Sequence, residues 1–234
     1  MKKILFILLV GLSLPTLAQS GEPLLEHYQA YYKQMRSQGD VRGVINALTH
    51  LYVLEPSVER RDTLAYVYSN NNQHMQALNI VGIELNPEDS DLALQVKAIS
   101  LKSLNQPRRS LEHFELMYER APNPYIAYEV ADLKIQIGDS PGALSDIEYG
   151  IANSGDEMKY AFYERQQPYE VPLKAAFIHL KGLAEYNIDK NNIDQAIASF
   201  DEALKMAPNF NLASLSKQAL ESRKGAAQTE QKQD

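Results

Sequence analysis

Five histidines, His27, His50, His74, His113 and His179, are the side chains of this chain best suited to proton transfer or metal binding near neutral pH. Their spacing serves neither chemistry. No two stand four apart on one helical face, the arrangement a zinc hydrolase uses, and His113 reads as a solvated helix residue beside Glu112 and Glu115. The run Asp189-Lys190-Asn191-Asn192-Ile193-Asp194 offers oxygens in a calcium-loop style, yet lacks the required glycine and the closing glutamate. No glycine-rich phosphate cradle occurs, and no serine stands in a nucleophile-elbow context. Glu84, Glu88 and Asp89 read as ordinary polar turn residues. The 234 residues include no cysteine, which excludes disulfides, thiol chemistry and lipid attachment at a cysteine. The expectation is a chain with no catalytic residue, no metal site and no cofactor.

The elements that would position any side chain announce themselves through a stride. Tyr32, Ala65, Ala98 and Ala131 stand 33 apart, as do Val44, Ala77, Ser110 and Ala143. A third column at the same step, Leu48, Val81, Phe114 and Ile147, is always bulky and apolar. After 20 additional residues the triplet returns as Ala184, Ala196 and Phe200. Positions i and i+4 share a helical face, so the second and third columns lie together on one helix. Small residues let two antiparallel helices approach, and the large one fills the space beside the crossing. Gly39-Asp40, Asn72, Gly138-Asp139 and Asn191-Asn192 fall where the two helices of each unit must turn, and these types end one helix or cap the next. Pro56, Pro122 and Pro208 lie where the second helix should stop. Pro87 comes two residues early, which predicts a trimmed last turn in the second unit.

This pattern resembles the tetratricopeptide-repeat family, most fully from Gln38-Gly39-Asp40 to Glu55-Pro56 and from Leu183-Ala184 to Ala207-Pro208. Tyr32 is large where the family prefers a small residue, Lys97 and Lys134 fall at usually apolar positions, and Gly155 replaces a closing proline. The expected fold is all-α, a right-handed superhelical α-solenoid of about five helix pairs with a C-terminal capping helix. Units fall near 25–57, 58–90, 91–123, 124–155 and 177–208, with the capping helix at 209–223. The resemblance also implies that set positions on the first helix of each unit face a concave groove. These include Lys33, Tyr66, Gln95, Ile99, Lys102, Tyr125, Tyr128, Asp132, Lys181 and Glu185. Some members of the family grip a C-terminal carboxylate with a clamp of lysine, asparagine and arginine. The matching positions here read Gln29, Lys33, Thr63, Leu92 and Val96; one lysine is not a clamp, so capture of chaperone tails is disfavoured.

Between the fourth and fifth units, 156–173 interrupts the stride with Tyr160, Phe162, Tyr163 and Tyr169 among Pro168 and Pro172. The segment 158–165 is expected to lengthen the preceding helix or form a short one, and 168–172 to be a loop, because proline restricts the residue before it. The four rings either form an accessory aromatic patch that walls the groove or pack onto neighbouring helices, the second being favoured.

At the start, a basic pair, an apolar run over 4–17 and Ala18 before Gln19 have the form of a secretory signal peptide, so 1–18 is expected to be removed and the protein to be periplasmic or secreted. The formal charge of −7 becomes −9 without Lys2 and Lys3, a sign that opposes nucleic acid and anionic lipid. The polar run 224–234 is expected to be disordered. The reading is a noncatalytic interaction scaffold of the bacterial cell envelope that holds a protein or peptide of basic and apolar character in its groove, with homo-oligomers open. The alternative is a module for glycan or cell-wall peptide built on the aromatic insertion.

Overall fold

Four helices begin where the sequence supplies a capping side chain. Asp40, Ser90, Asn123 and Asp139 accept hydrogen bonds from the backbone N–H groups of Gly43, Ala93, Ile126 and Gly142. Pro107 and Pro124 occupy first-turn positions, where a missing N–H costs nothing. Four residues 33 apart, Gly39, Asn72, Asn105 and Gly138, take left-handed φ values of 69, 58, 57 and 88°. These are the turns between paired helices, and Asn105 is the one the sequence reading did not single out.

The computed structural model describes residues 21–230, so the expected leader at 1–18 lies outside the described residues, as do the last four residues of the expected tail. The chain forms two compact units divided between Arg61 and Asp62. The first contains α1 (Gly21–Gln38), α2 (Val41–Leu54) and the opening of α3 (Val58–Asn70), which runs through both. Within it the Tyr28 ring stacks on His50 at 4.1 Å, and Gly43 leaves the room that the Met35 side chain fills.

The second unit carries the rest of α3, then α4 (His74–Val81), α5 (Asp91–Ser103), α6 (Pro107–Arg120), α7 (Pro124–Gln136) and α8 (Ser140–Asn153). After β1 (Lys159–Phe162) and β2 (Tyr169–Pro172) come α9 (Leu173–Ile188), α10 (Ile193–Met206) and α11 (Asn211–Glu230). Each helix from α4 onward packs on its neighbours in sequence, and α7 also meets α9, the arrangement of an all-α solenoid. The small columns are the crossings: Ala65, Ala98, Ala131 and Ala184 are fully buried, as are Ala77, Ala143 and Ala196. Ser110 fits the same column because its hydroxyl donates to the Ala98 carbonyl oxygen at 2.8 Å.

Four expectations change. α4 has 8 residues where α6 and α8 have 14, so its end is trimmed as expected but by six residues, nearly two turns instead of one. The loop that replaces its end is held by the buried Lys97, the exposed Arg120 and the buried ring of His113. Lys97 donates to the Glu84 carbonyl at 2.8 Å and pairs with Asp89 at 2.5 Å. Arg120 donates to the carbonyls of Asp89 and Pro87 at 2.9 and 2.6 Å. His113 Nε2 meets the Ile83 carbonyl at 3.1 Å, so this histidine is buried and not the solvated residue expected. Lys134, the other cation at an apolar position, is met in the same way by Asp146 at 2.8 Å and Glu115 at 3.5 Å.

The insertion is neither helix nor loop but an antiparallel hairpin, with Tyr160 opposite Val171 and Phe162 opposite Tyr169. Strand periodicity explains it. Residues two apart share a face, so Tyr160, Phe162, Tyr169 and Val171 all turn to one side, while Lys159 and Glu170 stay exposed. Pro168 and Pro172 sit just before and at the end of β2, where a strand tolerates proline. Finally, α11 continues to Glu230 instead of giving way to disorder at 224, with Lys224 paired to Asp194 and Arg223 to Tyr186.

Candidate functional site

On α7, Tyr128 and Asp132 lie one turn apart, with Glu129 beside them, so all three project from neighbouring rows of one helix. Lys102, in the last turn of α5, reaches across to that row: its Nζ lies 2.5 Å from Glu129 Oε2 and 3.2 Å from Asp132 Oδ2. The hairpin comes over the same place. Tyr160 donates its hydroxyl to Glu129 Oε1 at 2.6 Å, and its ring lies 4.1 Å from that of Tyr128. Phe162 follows at 5.2 Å from Tyr160 and 4.9 Å from Phe210, the residue just before α11. The hairpin is thereby riveted to α7 and to the start of α11 by a run of rings.

Together these elements enclose a cavity of about 470 Å³. Its walls are Lys102, Tyr128 and Asp132 from the repeats, Tyr160 to Tyr163 from the hairpin, His179, Leu180 and Leu183 from α9, and Leu212 and Ser216 from α11. Tyr163 stands 74% exposed beyond β1.

Burial sets the electrostatics. It lowers the pKa of Lys102, but the Glu129 and Asp132 carboxylates outweigh it and leave the ammonium raised above its usual value. Burial also raises Asp132, against the pull of Lys102, with the nearby Glu129 acting in the same direction. The Tyr128 and Tyr160 hydroxyls are pushed well above 10 by burial and by the adjacent carboxylates, so both are donors at any physiological pH. His179 is 5% exposed, and burial lowers its pKa to about 4, which makes the ring neutral. Its Nε2 lies 3.1 Å from Ser216 Oγ, while Nδ1 has no hydrogen-bond partner among the described residues. The contact joins α9 to α11.

The residues expected at a groove are therefore only partly gathered. Tyr128, Asp132, Tyr160, Phe162 and Tyr163 share the cavity, whereas Tyr169 packs against Phe162 and Phe210 and donates to Glu164 at 2.6 Å. Tyr128 is 4% exposed and Phe162 is also buried, so both act as the floor and wall of the site. Tyr125 and Tyr66 are exposed on α7 and α3, and Gln95 is half-buried on α5. Ile99 packs into the core beside Phe114 and Leu133. Glu185 is turned into its own helix pair, accepting from Ser199 at 2.7 Å and from Gln195 at 2.9 Å, with Lys181 at 3.8 Å. Lys33 is exposed in the first unit. Glu129, His179 and Ser216 were not anticipated as parts of the site. Glu129 sits one residue after Tyr128, where helical geometry places it between the groove face and the next pair, and α11 joins only through tertiary packing.

No family model matches the sequence, and no curated protein matches it. Among solved structures, the crystal structure of MamA protein superposes with a TM-score of 0.60 at 17% identity, over 79% of this chain and 92% of that one. A tetratricopeptide repeat protein from Parabacteroides merdae gives 0.44 at 18% identity, over 84% and 70%. PilF of Pseudomonas aeruginosa gives 0.40 at 15% identity, over 87% and 99%. At 17% identity, the likeness to MamA speaks to the fold alone.

Proposed function

Proceeding from the fold of the tetratricopeptide-repeat proteins, which this chain has, we propose that it is a noncatalytic interaction scaffold that holds a segment of another protein against the first helices of its second unit. The cavity between α5, α7, α9, α11 and the hairpin carries the reading, because it combines aromatic walls with a few fixed charges in one concavity. Such a site suits an extended or helical segment that inserts an apolar or amphipathic side chain. The formal charge of −7 favours a neutral or basic partner. The apolar start of the sequence supports export to the periplasm or beyond, and no helix among the described residues is long and apolar enough to cross a membrane.

A photocrosslinking residue placed at Tyr125, at Tyr163 and, as a control, at the exposed Glu112 of α6 tests the scaffold in living cells. The first two positions should each give the same discrete protein adduct, and Glu112 should not. Adducts identical at all three positions, or none at any, would remove the reading. The exposure of Tyr163 supports a second reading, a stacking platform for a sugar of an envelope glycan. Retention of the Tyr163→Ser variant on cell-wall polysaccharide, undiminished from that of the parent, would eliminate it.

A further inference from the structure

The cavity contains an acceptor that the fold does not use. Lys102 is the only ammonium among the described residues that line it, and it serves two carboxylates, Glu129 and Asp132. Glu129 is satisfied on both oxygens, by Lys102 and by the Tyr160 hydroxyl. Asp132 is not. Lys102 and the Gln136 amide both converge on Oδ2, at 3.2 and 2.8 Å, and Oδ1 receives no donor among the described residues. His179, almost wholly buried in the wall of the same cavity, has a second open position at Nδ1. The site is thus short of one positive charge and leaves Asp132 Oδ1 open to a further donor, and it is walled by the rings of Tyr128, Tyr160 and Phe162.

An ammonium and a guanidinium both supply charge, but they differ in reach and shape. A guanidinium is planar, carries five N–H donors in a fixed fork and stacks on aromatic faces, while a lysine ammonium is a compact, strongly hydrated point charge. Resting on the scaffold reading above, we propose that the cavity is an arginine subsite: the guanidinium of a partner segment donates to Asp132 and lies against the Tyr128–Tyr160 rings. Lys102 is then a resident counter-ion that holds Asp132 in place when the subsite is vacant and retreats to Glu129 when it fills. This assigns opposite roles to two neighbouring residues. Asp132 attracts the ligand, and Lys102 competes with it.

The opposition makes the inference testable with the full chain. The probes are three pools of acetylated, amidated heptapeptides, random except for a central arginine, citrulline or glutamate; citrulline keeps the shape of arginine and removes its charge. The arginine pool should be retained at least tenfold over the citrulline pool. Asp132→Asn should erase that advantage, and Lys102→Met should increase retention of the arginine pool at least threefold, with circular dichroism confirming that each variant is folded. Equal retention of arginine and citrulline pools overturns the subsite and leaves the scaffold reading standing. Preference for the glutamate pool, strengthened by Asp132→Asn and lost in Lys102→Met, also overturns it, since Lys102 would then be the ligand-binding group. If no pool is retained above background and crosslinking at Tyr125 gives no adduct, both readings fall.

Discussion

A neutral histidine in an apolar wall is a pH-dependent contribution to folding. His179 has its pKa lowered to about 4 by burial, against about 6.5 in an unfolded chain. The folded form is the one that stays neutral, so its stabilisation is fully present above about pH 6.5 and is lost as the pH falls towards 4. The loss amounts to about 3 kcal/mol on the scale of 1.36 kcal/mol for a tenfold change in proton affinity. His113, lowered in the same direction by burial, adds to the trend. Urea unfolding midpoints at pH 7 and pH 4.5 should therefore differ more for the parent than for His179→Gln, which can keep a hydrogen bond to Ser216 without titrating. Parallel midpoint shifts in the two proteins would show that the ring does not carry this dependence. Lys97 and Lys134 teach a related point at the same scale. A cation at a core position is tolerated when a carboxylate arrives with it, as Asp89 and Asp146 do.

Helices here are joined by what they leave out as much as by what they bury. Gly150 of α8 faces Phe177 of α9, and a Cβ at that glycine would lie 2.0 Å from the ring. Phe177 is fully buried, with an edge contact to Tyr128, so it has nowhere to go. Gly150→Ala should destabilise the protein by about 1–3 kcal/mol, the usual cost of overpacking a filled core. Gly155→Ala, where nothing lies within 4 Å, is the control and should be near neutral in the same denaturation experiment. A neutral Gly150→Ala would mean that α8 and α9 are not locked there. The hairpin is the other element of interest. Its inner face, Tyr160, Phe162, Tyr169 and Val171, is chosen by alternation along two short strands. The aromatic content of that stretch was plain in the sequence, but four residues per strand are too few for a period of two to stand out against a helical one.

In a repeat array, stability is a sum over local interfaces, and regions of the chain open separately. The largest buried cluster gathers α7, α8, α9, the hairpin and the start of α11 around Phe177 and Phe210. α1, by contrast, has mostly exposed or half-buried residues. Hydrogen exchange should show the slowest amides in α7–α9 and the fastest in α1 and around Tyr163 to Pro168. Uniform protection along the chain would contradict a modular array and indicate one cooperative core. The fold asks little of the sequence: a small residue at each crossing and a large one beside it.

The stride of 33 determined the helix pairs, their crossings and their turns, because close approach of two backbones admits few residue types and each unit repeats the same demand. Lys102, Tyr128 and Asp132 could be placed on first helices from that stride alone. Three things only the tertiary structure decided: that α4 stops at Val81, that the aromatic insertion is a hairpin, and that His179 and Ser216 line one cavity with Asp132, whose Lys102 partner also holds Glu129. Each depends on partners distant in the chain, Arg120 for the shortened helix and Phe210 for the hairpin, and no local pattern encodes a contact whose two sides lie in different repeats.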